Sequence, residues 1–113
     1  MRMHESNRPR VLLSTSTSIR STGLMREDAL TGRNYSQAVV AAGGLPSMVA
    51  VLDERLAGEY ASINDALLLT GGVDVDPAAF GAYPEPGLGS VDERRDAFEI
   101  ALYRAFRALR KPV

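Results

Sequence analysis

Apolar residues along the chain come in short bursts, separated by stretches with helical spacing. Val11-Leu12-Leu13 leads directly into Ser14-Thr15-Ser16-Thr17-Ser18. A brief apolar run that ends in small polar residues is the pattern of a buried parallel strand opening into a loop. Residues 16 to 33 hold no sustained period and read as a long loop, a kind of segment that is often functional in a compact domain. Tyr35, Ala38, Val39 and Ala42 then fall on one helical face, and Gly43-Gly44 stops that helix. Met48 to Leu52 reads as a second strand. Asp53 is a good N-cap for a short helix with Leu56, Tyr60 and Ile63 as its apolar stripe. Ala66-Leu67-Leu68-Leu69 is a third strand, ending in Thr70-Gly71-Gly72. The glycines and prolines of residues 71 to 91 make a loop.

A last helix starts near Ser90 to Asp92; Ser90-x-x-Glu93 and Asp96-x-x-Glu99 both match the capping-box pattern and offer two starts. Its apolar face is Phe98, Ala101, Leu102, Ala105, Phe106 and Leu109. It stops at Lys111-Pro112, with Arg107, Arg110 and Lys111 suited to the negative end of the helix dipole.

Strand and helix thus alternate three times, which predicts a parallel sheet with helices on both faces. Val113, apolar and just past a helix stop, reads as the first residue of a further strand. Three strands and three helices would bury roughly two-thirds of the unfolded surface and leave a strand edge open. The expectation is therefore a polar leader over residues 1–9 and the N-terminal part of a larger domain over residues 10–113. The alternative is a small complete three-layer protein.

Composition narrows the function classes. Thirteen basic and 14 acidic residues give a net charge of −1, so nothing in the charge points to nucleic acid or an anionic membrane. There is no apolar run of membrane-spanning length and no signal-peptide core, which makes the cytoplasm the default location. The chain has no cysteine, and its single histidine is His4 in the polar leader. Thiolate chemistry is absent from these residues, and a Ser-His-Asp arrangement would depend on His4.

The stretch Leu67 to Pro77 carries the most chemistry. Ligands of open α/β sheets collect outside the carboxyl ends of the strands. A Gly71-Gly72 turn there presents backbone N–H groups that could stabilise an oxyanion. On spacing alone the same turn reads first as a sharp exit from a buried strand. Asp74-x-Asp76 lacks the further ligands of a calcium loop and fits hydrogen bonding to nearby backbone N–H groups. No phosphate-binding glycine pattern is present. Arg94, Arg95, Asp96 and Glu99 could orient a carboxylate-bearing substrate or simply form a charged helix start. Arg20 and Arg26 lie in the long first loop near the expected active edge. Arg26, Asp74 and Arg95 are the substrate-contact candidates. Tyr35 reads as core packing with its hydroxyl at the surface, and His4 as a solvated residue. No cofactor or metal site is indicated.

The run Asp65-Ala-Leu-Leu-Leu-Thr-Gly-Gly-Val-Asp-Val-Asp-Pro77, with Phe80-Gly81 and Pro84, is followed by Asp92-x-x-Arg95-Asp96-Ala97-Phe98-Glu99. Together with Ala42-Gly43-Gly44-Leu45-Pro46, these residues resemble the gamma-glutamyl-gamma-aminobutyrate hydrolase family of the class I glutamine amidotransferase-like superfamily. The resemblance covers roughly residues 10 to 113. It implies a flavodoxin-like three-layer α/β/α fold with a parallel sheet, truncated before the strand that bears the nucleophile. It also implies hydrolysis of a small-molecule gamma-glutamyl amide through a cysteine thioester, without a cofactor. The Cys, His and Glu of such a triad would all lie beyond residue 113, so this chain alone is expected to be inactive. What carries over is the oxyanion loop at Gly71 and Gly72, with the Gly72 N–H as the favoured donor. Two other readings stand beside it: a non-enzymatic remnant or binding module, and the glutaminase part of an amidotransferase that passes ammonia to a synthase. Self-association into a homo-oligomer stays open.

Overall fold

The computed structural model describes residues 7–20, 26–71 and 86–113. Its centre is β1 (Arg10–Leu13), flanked in parallel by β4 (Leu45–Met48) and β5 (Ala66–Leu68) in the order β4-β1-β5. Leu12 lies opposite Ser47 on one side and Leu67 on the other. Side chains alternate across a strand, so Leu12 and Leu67 share one face while Val11 and Leu13 take the other. On the first face lie α2 (Ala57–Ile63) and α3 (Pro86–Ala108). Here Leu12, Val49 and Leu67 pack with Ala57, Ala61, Phe98, Leu102 and Phe106. On the opposite face α1 (Arg33–Ala41) lays Val39 over Val11 above Gly44, where a Cβ would stand 2.8 Å from Val39 and 3.2 Å from Val11. The parallel three-layer α/β arrangement expected from the alternation, and the flavodoxin-like fold implied by the resemblance, are therefore present.

Several boundaries differ from the sequence expectation. The stretch read as one long loop contains an antiparallel pair, β2 (Ser16–Arg20) and β3 (Arg26–Leu30), in register from Ser16 opposite Leu30 to Arg20 opposite Arg26. Ile19 is exposed and β3 buries nothing fully, so no hydrophobic period betrays the pair. Arg94 on α3 forms a two-pronged ion pair with Glu27 and ties the hairpin to the sheet domain. The second strand is Leu45–Met48 rather than Met48 to Leu52. Pairing begins as soon as α1 ends, with Leu45 N–H donating to the Pro9 carbonyl and Val49 N–H to Leu13. This alternation puts the Pro46 nitrogen on the outer edge, where a missing donor costs no ladder bond.

The short helix is rotated from its predicted stripe. Ala57 and Ala61 are buried, whereas Ile63 is 60% exposed. Small residues let α2 approach the aromatic face of α3, and Tyr60 meets Phe98 edge-on at 6.5 Å. In α1 only Val39 is fully buried, so Ala38 and Ala42 do not join the predicted face. Helix α3 starts at Pro86 rather than near Ser90, a proline being well suited to a first turn where no N–H is needed. Phe98, Leu102 and Phe106 are its buried ridge, with Ala101 and Ala105 beside them and Leu109 exposed.

Helix ends are closed by specific partners. In α1, Gly44 N–H reaches back to Val39 and Gly43 N–H to Val40, with Gly43 at φ 96°. In α3, Lys111 N–H reaches Phe106 and Arg110 N–H reaches Arg107, with Arg110 at φ 58°. Both are Schellman ends, one built on glycine and one on arginine. At the end of α2, Ser62 Oγ donates to the Glu59 carbonyl, Asn64 Nδ2 to Tyr60, and Lys111 Nζ to Ala61 at 2.7 Å. Leu67 N–H donates to the Pro112 carbonyl at 3.0 Å, which places the residues after α3 beside β5.

Candidate functional site at the carboxyl edge of the sheet

Two chain segments leave the sheet side by side, Ser14-Thr15-Ser16 after β1 and Leu69-Thr70-Gly71 after β5. The buried residues among them, Ser14, Thr15 and Thr70, are small and polar for a physical reason. Ladder hydrogen bonds end here, and buried carbonyls need replacement donors. Thr70 N–H donates to Ser14 Oγ at 2.9 Å, and Thr70 Oγ1 donates to the Ser14 carbonyl at 2.9 Å. Thr15 Oγ1 donates to the Val49 carbonyl at 2.6 Å. Ser14, Thr15 and Thr70 are all buried. Their hydroxyls are engaged in holding three strand ends together.

Arg95 closes this edge from α3. Its Nη2 donates to the Thr70 carbonyl at 2.8 Å and its Nη1 to Ser16 Oγ at 3.0 Å. Glu99, one turn further along the helix, balances the charge at 3.3 Å, and the two side chains are 16% and 19% exposed. Among the described residues Arg95 Nε has no hydrogen-bond partner. On the other face, the Tyr35 hydroxyl stands 3.4 Å from where a Cβ on Gly71 would lie. Gly71 has no left-handed φ, and that contact is ordinary, so its backbone does not require glycine.

Of the residues picked from sequence, Gly71 and Arg95 therefore come together, joined through Thr70. Arg26 sits at the far end of the hairpin, 62% exposed and ion-paired with Asp28 at 3.2 Å. No described contact joins it to Gly71 or Thr70. Gly72, Asp74, Asp76 and His4 lie outside the described residues, as does the Arg20 side chain. Sequence reasoning missed Ser14, Ser16 and Tyr35 as neighbours of Gly71. The Ser-Thr run after β1 was a usable signal, since small hydroxyl residues at a buried strand end must satisfy something nearby.

Beside this edge is a cleft of about 550 Å³ between the connection Val51 to Glu54 and Arg94, Ala97 and Phe98 of α3. Asp53 on its rim receives the Arg55 side chain and backbone N–H, which hold its carboxyl down at about 2. The Arg94 hydrogen bond likewise holds the Glu27 carboxyl below its usual range. Among the described residues no cluster of His, Cys, Asp or Glu could hold a metal ion, and no helix is long and apolar enough to cross a membrane. The arrangement can orient peptide donors toward an anion. Among these 113 residues there is no thiol to attack a carbonyl.

The chain is similar to several known proteins. A Lactococcus lactis subsp. cremoris protein named as a putative glutamine amidotransferase-like protein, a YvdE homolog, is 43% identical over 54 residues, covering 48% of this chain and 29% of that protein. Protein NtpR of Enterococcus hirae is 32% identical over 74% of this chain and 35% of its own length. A Mycobacterium tuberculosis protein named as a putative glutamine amidotransferase is 36% identical over 63% of this chain and 24% of its own. The matched segments thus span about a third or less of these relatives. A model of the family described as Peptidase C26 matches residues 12–113, nearly the whole chain, and the chain belongs to that family.

Proposed function

We propose that this chain forms the oxyanion-loop part of an enzyme that cleaves gamma-glutamyl amide bonds. The observation that carries the reading is the Thr70-Gly71 exit of β5, fixed by Ser14 and Arg95 at the carboxyl edge of a parallel sheet in a Peptidase C26 member. In this reading a cysteine supplied after Val113, on a tight strand-to-helix elbow, attacks the gamma-carbonyl and expels the amine. The N–H groups of the Gly71-Gly72 turn, Gly72 as the favoured donor with Gly71 beside it, and the N–H following that cysteine hold the oxyanion. A His and a Glu further along the chain serve as base and orienting partner, and water then releases glutamate. A cytoplasmic location belongs to the same proposal.

The test is the polypeptide produced from its own gene, including any reading frame past codon 113. It is incubated with gamma-glutamyl-gamma-aminobutyrate, other gamma-glutamyl amines and glutamine, with glutamate release as readout. Turnover that is lost on mutating the downstream cysteine is expected. A folded product with no turnover of any of these, or a stop codon with no Gly-x-Cys-x-Gly elbow in a nearby frame, would overturn the reading in favour of a non-enzymatic module. The amidotransferase names of two relatives favour a second reading, a glutaminase that feeds ammonia to a synthase. Glutamine as the preferred substrate, together with a stable complex with a synthase subunit, would mark it.

A further inference from the structure

We infer that Arg95 is a positioning residue that aims and polarises the Gly71 amide, by gripping the carbonyl on the opposite side of the same peptide plane. The inference rests on the oxyanion-loop reading above. Arg95 Nη2 holds the Thr70 carbonyl at 2.8 Å. The described chain has no cis peptide bond, so the Thr70 C=O and the Gly71 N–H point in opposite directions. With the carbonyl drawn toward α3, the Gly71 N–H faces away from that helix. Among the described residues no acceptor takes this N–H. A guanidinium on the carbonyl also shifts charge along the amide and makes its N–H a stronger donor. Residue 70 is fixed at its other end by Ser14, which accepts its N–H and receives its hydroxyl. Arg95 is itself held in place by Ser16 Oγ and Glu99.

This gives Arg95 a different task from a direct contact with a substrate carboxylate, and the two separate in kinetics. Losing a substrate clamp raises KM, whereas losing a transition-state donor lowers kcat. Arg95→Met and Arg95→Lys are made in the enzyme that carries this chain. For Arg95→Met, kcat is expected to fall about 10- to 100-fold, somewhat less than for outright loss of an oxyanion donor, with KM nearly unchanged. Arg95→Lys recovers part of the loss. A raised KM at constant kcat, or no change in either, overturns the inference.

A second readout does not depend on activity. The Gly71 amide resonance of the 15N-labelled enzyme that carries this chain shifts in Arg95→Met, or in Arg95→Lys if the first variant does not fold. A resonance that stays in place overturns the inference even if turnover falls. If the unaltered enzyme turns over no gamma-glutamyl amide while the Gly71 resonance still moves, the functional reading fails and the positioning contact stands.

Discussion

Replacing Arg110 by glycine should stabilise this protein, and replacing Gly43 by alanine should destabilise it, for one shared reason. Both residues occupy the left-handed turn of a Schellman end, at φ 58° and φ 96°. A residue with a Cβ costs about 1–2 kcal/mol in that conformation. Glycine gives back about 0.5–1 kcal/mol through the larger freedom of the unfolded chain. At Arg110 the loss of a cation near a helix C-terminus subtracts about 0.3 kcal/mol more. The net is about 0.5 kcal/mol gained for Arg110→Gly and about 1 kcal/mol lost for Gly43→Ala. Packing does not blur the comparison. A Cβ on Gly43 would meet nothing within 4 Å, and Arg110 is exposed.

Urea titrations followed by far-ultraviolet circular dichroism would show opposite midpoint shifts with equal slopes, since the exposed area is unchanged. Arg110→Asn should fall between arginine and glycine, and Arg110→Val should be the least stable of the series. A destabilised Arg110→Gly beside a destabilised Gly43→Ala would refute the reasoning. It would mean that the arginine side chain contributes more than its backbone strain costs.

Two further outcomes follow from contacts outside the site. Lys111→Met removes the charged donor to the Ala61 carbonyl at the end of α2. It should cost about 1.5–3 kcal/mol, with hydrogen exchange in α2 accelerating before that in β1. Asp53 is held at about 2 by Arg55, below its usual 3.8, so its contribution to stability is complete above about pH 4 and is lost as pH falls toward 2. Asp53→Asn should therefore flatten the acid limb of the stability profile between those values, and added salt should shrink the difference; an identical limb in both proteins would count against the pairing.

The buried parallel strands and the last helix were legible because their apolar residues are consecutive or recur every three to four positions. Leu12, Leu67, Phe98, Leu102 and Phe106 all sit in the core that this pattern predicts. The hairpin was not legible, because Ser16 to Arg20 and Arg26 to Leu30 pair through backbone bonds while burying little. The phase of α2 was missed because alanine carries a weak hydrophobic signal. Here, however, Ala57 and Ala61 are the residues small enough to fit beneath Phe98. At the site, Gly71 could be picked out by its place after an apolar strand. Its link to Arg95 could not, because a sequence separation of 25 residues says nothing of how α3 returns over Thr70.

The order in which this sheet is assembled has a cost in time. β1 is made first and lies in the middle, yet its partners begin only at Leu45 and Ala66. Its outer contact, the Arg10 N–H to the Asp65 carboxylate, joins residues 55 apart in sequence. The central strand therefore cannot gain its second neighbour until most of the chain is available, and each such closure carries a loop-entropy barrier before any contact compensates it. Until then Val11-Leu12-Leu13 is an apolar strand with at least one open edge, a segment prone to pair with another copy of itself. The polar residues that flank it, Arg8 and Arg10 before and Ser14 to Ser18 after, work against that outcome during the wait.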